Sequence, residues 1–127
     1  MWFVLFTMMA VRSELQQQFR QVPVLCYHHI TADNEQPSSV LFIQKDNFQK
    51  QLQALADSGY RHISPDDLYS CLQQGKAPPP KSIIITFDDS HAGHFSIAAP
   101  ILEQAGFRGV FFYNDRHHRQ KRILVGP

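Results

Sequence analysis

The apolar residues of this chain follow two different periods in alternation. Short runs that favour strands occupy residues 23–27, 60–63 and 107–113, and a further one lies within the stretch 81–90. Three consecutive isoleucines at 83–85 are typical of a strand that is buried on both faces. Between the runs, apolar residues recur every three or four positions, which indicates helices, although Pro100 in the last of them predicts a kink or a late start. This order of strands and helices predicts an α/β fold with a parallel sheet.

Residues with strong positional preferences predict where the first two helices begin and end. Asp46 is the predicted N-cap of a helix that stops at Gly59. Ser64, followed by Pro65 at the first helical position, predicts a second helix that stops at Gly75. After the second helix, the three prolines at 78–80 predict a stiff connector. This connector leads into the strand with the three isoleucines, which we call the central strand.

The composition is that of an ordinary globular domain. The chain has 127 residues, of which 43% are hydrophobic, and a formal net charge of +1. This charge balance gives no reason to expect nucleic acid as a partner. Cys26 and Cys71 are too few for a disulfide framework, and both lie in apolar patterns that predict buried thiols.

The first residues of the chain differ from the rest. Residues 1–11 form an apolar run that is too short to span a bilayer but has the length of the apolar part of an export signal. The first positive charge, Arg12, follows this run instead of preceding it. We interpret residues 1–20 as a damaged export signal or a hydrophobic arm with a polar spacer, and we expect no stable membrane span. An export signal would predict a location in the cell envelope or outside the cell.

Two adjacent acids, Asp88 and Asp89, follow the central strand directly. Neighbouring carboxylates at an edge of low dielectric repel each other unless a shared proton or a cation intervenes. The alternative is that they cap the next helix, since Asp is a favoured N-cap residue. Parallel α/β folds place their sites at the carboxyl ends of strands, so the pattern predicts a site at this edge.

Four segments carry a resemblance to a known family. In chain order they are residues 23–28, the apolar pattern of 48–60, Thr-Phe-Asp-Asp-Ser at 86–90, and residues 100–112. Together they resemble the polysaccharide deacetylases of the NodB-homology type. The resemblance covers residues 21–113 and implies the N-terminal part of a distorted (β/α) barrel with parallel strands.

The resemblance also implies a chemistry, the removal of N-acetyl groups from a polysaccharide with a divalent metal. Asp88 matches the general base of the family, and Asp89 matches its metal-binding carboxylate. Zinc is the first expectation for the metal, with cobalt and nickel as alternatives. His28 matches a histidine near the barrel mouth and would line the pocket; the alternative is a strand-end histidine that is satisfied locally.

The sequence departs from the family in two places. Ser90 stands where the family has glycine, and no pair of histidines four residues apart follows Phe112 to complete the metal site. We therefore expect the 127-residue chain to be inactive as it stands. A local cluster of Asp89, His91 and His94 is an alternative source of ligands.

Residues 114–127 form a basic tail, in which His117 and His118 lie among cationic residues and are expected to be solvated. One choice of codons for residues 114–126, read one base later, gives Thr-Thr-Asp-Ile-Ile-Gly-Lys-Lys-Gly-Phe-Leu-Ser. That string is what a deacetylase of this kind is expected to carry after its Phe-Phe strand. The pattern therefore indicates a shifted reading frame in the tail.

Three interpretations of the chain follow from these observations. It is an active metal-dependent deacetylase, an inactive N-terminal part of one, or a small non-catalytic carbohydrate-binding or interaction module. Metal content separates the first from the other two, and glycan binding without turnover separates the third from the second.

Overall fold

A computed structural model describes residues 21–32, 39–115 and 119–125, with side chains described as far as Tyr113. The elements in chain order are β1 (Val24–Tyr27), β2 (His29–Thr31), β3 (Phe42–Gln44), α1 (Lys45–Asp57), β4 (Arg61–His62), α2 (Pro65–Gln73), β5 (Ser82–Phe87), a π-helical turn (His94–Ala98), α3 (Ala99–Gln104), β6 (Gly109–Asp115) and β7 (Arg119–Val125). None of the helices in these ranges is long and apolar enough to cross a bilayer. The expected export segment at 1–20, and His117 and His118, lie outside the described residues.

The sheet is organised around β5. This strand pairs in parallel with β1, β4 and β6, and β2 and β3 form a separate parallel pair. The predicted α/β fold with parallel strands is therefore confirmed. β7 pairs antiparallel with β6, so residues 119–125 form a strand where the sequence predicted part of a tail. The free edge of β6 offers unpaired backbone groups, and the β-prone residues Ile123 and Val125 suit a strand that satisfies them.

All six residues of β5 are buried, and its alternate side chains enter two different apolar clusters. Ile83, Ile85 and Phe87 enter a large cluster with residues of α1 and α3, which we call the helix-covered face; its other buried members are Ile30, Phe48, Leu52, Ala98, Ile101, Leu102, Phe107 and Phe111. Ile84 enters a smaller cluster with Ile63 and Val110, which we call the opposite face. The two-residue period of a strand explains this division.

Aromatic rings fill the helix-covered face below the end of β5. The Phe87 ring stacks on Phe111 at 4.6 Å and on Tyr27 at 5.6 Å between centroids. Phe48 of α1 meets the Tyr27 ring edge-on at 4.9 Å. Offset-stacked and edge-to-face contacts of this kind stabilise the fold beyond the burial of apolar area. They therefore help to fix the position of the end of β5.

Most of the predicted helix boundaries agree with the structure. The Ser64 hydroxyl accepts a hydrogen bond from the Asp67 backbone N–H at 3.0 Å, with Pro65 at the start of α2. Gly59 ends α1 with φ 82° and Gly75 ends α2 with φ 62°, values that favour glycine. The prediction that Asp46 is the N-cap of α1 was wrong. Gln44 is the N-cap, because β3 leads directly into α1. Asp46 lies instead in the first turn, where its charge suits the helix dipole.

The helix that contains Pro100 begins late, as its sequence predicted. A π-helical turn occupies His94–Ala98, and α3 begins at Ala99 with Pro100 in its first turn. Gly93 precedes this turn, and a Cβ atom there would collide with the Ile30 carbonyl oxygen. A glycine is therefore required where the π-helical turn passes β2.

Candidate metal centre

Asp88 is positioned by the pairing of β5 with β1. Its backbone N–H donates to the Tyr27 carbonyl at 2.9 Å, which extends the parallel ladder one residue past β5. The two-residue period places Asp88 on the same face of the sheet as Thr86, and Thr86 is the register partner of Cys26. The Cys26 thiol accordingly donates to Asp88 Oδ2, with 3.4 Å between sulfur and oxygen.

A left-handed turn follows Asp88. Asp89 has φ 71° and Ser90 has φ 52°, a left-handed conformation that aspartate tolerates better than most residues and that costs serine roughly 1–2 kcal/mol. The Ser90 hydroxyl donates to the Phe112 carbonyl at 3.3 Å and so ties the turn to β6. Such strain persists where the surroundings determine the conformation, and it is concentrated at functional sites. The positive φ of Ser90 also suits the glycine that the family resemblance led us to expect at this position.

The turn directs Asp89 towards the end of β1. Asp89 Oδ2 lies 3.0 Å from His28 Nδ1, and the two side chains are 53% and 29% exposed. The structure therefore brings the three predicted site residues, Asp88, Asp89 and His28, to the same edge of the sheet. Their separate roles as base, metal ligand and pocket residue stay predictions.

Cys26 was missed as a site residue and was wrongly predicted to be buried. Its side chain is exposed, and Cys71 is half-buried. β1 lies at the edge of the sheet path and alternates between exposed and half-buried residues, so an apolar run there does not imply burial. Cys26 and His28 are two residues apart, and this spacing could have indicated that they share a face.

Cys26, His28 and Asp88 form a possible set of metal ligands. Their ligand atoms all lie within 4.8 Å of one another, and one sulfur, one nitrogen and one oxygen donor suit zinc. Partial desolvation raises the pKa of the Cys26 thiol, and the Asp88 carboxylate adds to this, although a hydrogen bond with Thr86 acts in the other direction. The thiol is therefore protonated near neutral pH when no cation is bound.

The alternative cluster of Asp89, His91 and His94 does not assemble. His94 is 1% exposed and directs Nε2 at the carbonyl oxygen of His28. Burial lowers the pKa of His94, which favours a neutral ring that donates this hydrogen bond. His91 Nδ1 instead accepts from the Gly93 backbone N–H at 3.3 Å. Through this hydrogen bond, His94 holds the backbone at His28 in place.

A parallel sheet whose central strand ends in two carboxylates, with helices packed against it, is typical of barrel-type α/β proteins. No family model matches the chain. Over 92 residues it is 32% identical to YxkH of Bacillus subtilis, whose name assigns it to the polysaccharide deacetylases; the alignment covers 72% of this chain and 31% of YxkH.

Two solved structures agree with this relationship. The Streptococcus pyogenes deacetylase PplD, in complex with acetate, is 31% identical with a TM-score of 0.65, over 73% of this chain and 42% of PplD. IcaB from Ammonifex degensii is 30% identical with a TM-score of 0.62, over 75% of this chain and 39% of IcaB. The chain is therefore related in sequence and fold to the polysaccharide deacetylases, and it spans less than half the length of these relatives.

Proposed function

We propose that residues 21–113 form the front part of a polysaccharide deacetylase domain, which hydrolyses N-acetyl groups of a carbohydrate polymer. The observation that carries the proposal is the meeting of Asp88, Asp89 and His28 at one edge of the sheet. The relationship to YxkH and to the deacetylase PplD supports the same activity. The substrate would be an N-acetylated polysaccharide of the cell envelope or outside the cell.

The chemistry assigned to each residue follows from its position. Asp88, at the end of β5 and next to a thiol donor, would accept the proton of the attacking water as general base. Asp89 would hold the divalent metal, and His28 would line the pocket beside it. When bound, the metal supplies Lewis acidity, which polarises the acetamide carbonyl and makes water more acidic. Zinc is the first candidate, with cobalt and nickel as alternatives.

The 127-residue chain has no pair of histidines four residues apart, with which the family completes its metal site, so we expect it to be inactive alone. A chimaera separates this deficit from a wrong assignment. Residues 23–112 would replace the aligned segment of S. pyogenes PplD, which supplies the remainder of a deacetylase. Acetate release from N-acetylated glycan oligomers is the measurement.

The chimaera should release acetate, and Asp88→Asn or Asp89→Asn should each reduce the rate by about 10²-fold or more, within the usual contribution of a general base or a metal ligand. Glu103→Gln, at an exposed carboxylate of α3, is the matched control and should leave the rate unchanged. A folded chimaera that is inactive, or one that is indifferent to Asp88→Asn, would refute the assignment. Glycan binding by the natural chain without acetate release from the chimaera would favour a carbohydrate-binding module.

A further inference from the structure

We propose that the end of β1 supplies one positioning residue to each carboxylate of the site. The Cys26 thiol orients Asp88, which remains the general base. The His28 ring orients Asp89, which remains the metal ligand. This inference rests on the proposed function and deepens it, because it explains how two adjacent acids are kept in two different roles. His28 still lines the pocket, but its effect on the reaction runs through Asp89.

Two adjacent carboxylates create a difficulty for the proposed chemistry. A divalent cation attracts both of them, whereas the general base has to keep an oxygen for the proton of the attacking water. Rotation of the side chains alone would carry Asp88 onto the metal or Asp89 away from it. A separate hydrogen-bond donor for each acid removes this freedom, as outer partners do around many metal sites.

The left-handed turn makes both acids accessible from one strand. Consecutive residues of a regular strand point to opposite faces. The φ of 71° at Asp89 ends this alternation, and Asp89 Oδ2 lies 3.0 Å from His28 Nδ1. The Cys26 sulfur, a ring nitrogen of His28 and an oxygen of Asp88 all lie within 4.8 Å of one another. The two donors, which are two residues apart in the chain, therefore reach the two acids from the same side.

The backbone around these contacts is itself held by hydrogen bonds. The Asp88 backbone N–H donates to the Tyr27 carbonyl at 2.9 Å, which fixes Asp88 against β1. The buried His94 ring donates to the His28 carbonyl. On the other side of the turn, the Ser90 hydroxyl donates to a carbonyl of β6 at 3.3 Å. A side chain can orient its neighbour only when its own position is fixed, and these bonds meet that condition.

The two donors differ in strength, so their removal should have different consequences. A thiol is a weak donor, and at 3.4 Å it directs Asp88 Oδ2 without taking over the capacity of the base to accept a proton. The imidazole N–H of His28 is a stronger donor and occupies Asp89 Oδ2, so the other oxygen of Asp89 is the one that would bind the cation. Loss of His28 should therefore weaken metal binding, whereas loss of Cys26 should slow the metal-loaded enzyme.

The first test uses the full chain without metal. NMR of ¹⁵N-labelled histidine side chains at pH 8 identifies which ring nitrogen carries the proton, and the partner of a ring determines this choice. We expect the proton of His28 on Nδ1, where it is donated to Asp89. Asp89→Gly keeps the left-handed backbone and removes the acceptor, so it should abolish this preference. A His28 proton on Nε2, or a preference that survives Asp89→Gly, would overturn the proposal.

The second test uses the chimaera with S. pyogenes PplD and has two readouts, the Zn²⁺ dissociation constant by competition with a chelator and kcat for acetate release at saturating Zn²⁺. His28→Ala should raise the dissociation constant by about 10- to 100-fold. His28→Asn places an amide N–H near the position of Nδ1 and should restore most of the affinity.

The cysteine variants of the same chimaera should show the complementary pattern. Cys26→Ala should lower kcat by about three- to tenfold with an unchanged Zn²⁺ dissociation constant. Cys26→Ser keeps a donor for Asp88 and should restore the rate. Cys71→Ala, at the half-buried cysteine of α2, is the matched control and should change neither quantity.

The pattern of these changes decides between the possible outcomes. If His28→Ala and Cys26→Ala change both quantities alike, the two positioning roles are refuted and the deacetylase assignment stands. A weaker Zn²⁺ affinity after Cys26→Ala would make the sulfur a metal ligand and would likewise overturn the proposal. A chimaera that is indifferent to Asp88→Asn would refute the proposed function, and the positioning roles with it.

Discussion

The two faces of β5 differ in what they contribute to the protein. The helix-covered face is a large apolar cluster in which Phe87 is completely buried among other aromatic rings. The opposite face has a small cluster around Ile84, and along the same face lie Thr86 and then Asp88. Stability and chemistry are thus carried by alternate residues of one strand. Substitutions one position apart should therefore have different consequences.

The largest expected effect compares identical substitutions on the two faces. Ile85→Ala should cost about 4 kcal/mol of unfolding free energy, because the site is 1% exposed and densely surrounded. Ile84→Ala should cost about 2 kcal/mol, because Ile84 is 8% exposed and its cluster is smaller. Urea denaturation of both variants measures the difference. Equal losses would show that the two faces contribute alike.

An added methyl group at Gly109 tests how tightly the helix-covered face is packed. A Cβ atom there would lie 2.8 Å from Phe87 Cε2 and 3.0 Å from Leu102 Cδ1. Gly109→Ala should therefore cost about 1–3 kcal/mol through overpacking. Arg108→Ala, at the exposed neighbouring position, is the control and should change stability little. A neutral Gly109→Ala would indicate that this face is looser than its contacts suggest.

A smaller effect is expected from α2, which supports the opposite face through the half-buried Leu68. Ser64→Ala removes the hydroxyl that caps α2 and should cost about 1 kcal/mol. Ser70→Ala changes an exposed serine within the same helix and should be neutral or slightly stabilising. Thermal unfolding of the pair measures the cap. Equal melting temperatures would mean that the Ser64 cap adds nothing to the stability of the protein.

The smallest expected effect is the pH dependence that His94 adds to the helix-covered face. Burial lowers the pKa of His94 below the value of about 6.5 of a free histidine. The hydrogen bond to the His28 carbonyl and the charge of Asp89 act in the opposite direction, whereas His91 and His29 add to the lowering. The unfolded chain therefore binds more protons below that pH, so stability falls as the pH drops through about 6.5. Burial lowers the pKa of His29 as well, which acts in the same direction.

The measurement is urea denaturation at pH 7.5 and 5.5 in the presence of EDTA. His94→Gln keeps a donor for the His28 carbonyl but does not titrate, so it should reduce the difference between the two pH values. An unchanged difference would assign the pH dependence to other groups.

The sequence predicted the fold well where local chemistry decides the structure. The isoleucine run gave the buried strand β5, and Ser64 with Pro65 gave the start of α2, because burial and capping are written into adjacent residues. The Asp46 cap failed because the preceding strand, and not a capping side chain, determines where α1 begins. β7 was missed because its pairing with β6 is a tertiary contact.

The candidate site was predicted less completely. Asp88 and Asp89 were found from their place after an apolar strand, and the resemblance added His28. The exposure of Cys26 could not be found in the same way, because an apolar pattern does not tell an edge strand from an inner one. The hydrogen bond between His94 and the His28 carbonyl depends on the π-helical turn, which no local sequence pattern predicted.

The left-handed turn at Asp89 and Ser90 also affects how a mutational scan of this protein should be interpreted. Glycine, asparagine and aspartate tolerate such backbone angles best, so survivors at these positions should be enriched in these three residue types even under selection for folding alone. A narrow tolerance there is therefore no measure of catalytic importance. Asparagine at position 89 changes the charge and keeps the conformation, whereas alanine changes both. The ratio of the activities of these two variants therefore separates the effect of the Asp89 charge from the effect of its backbone conformation.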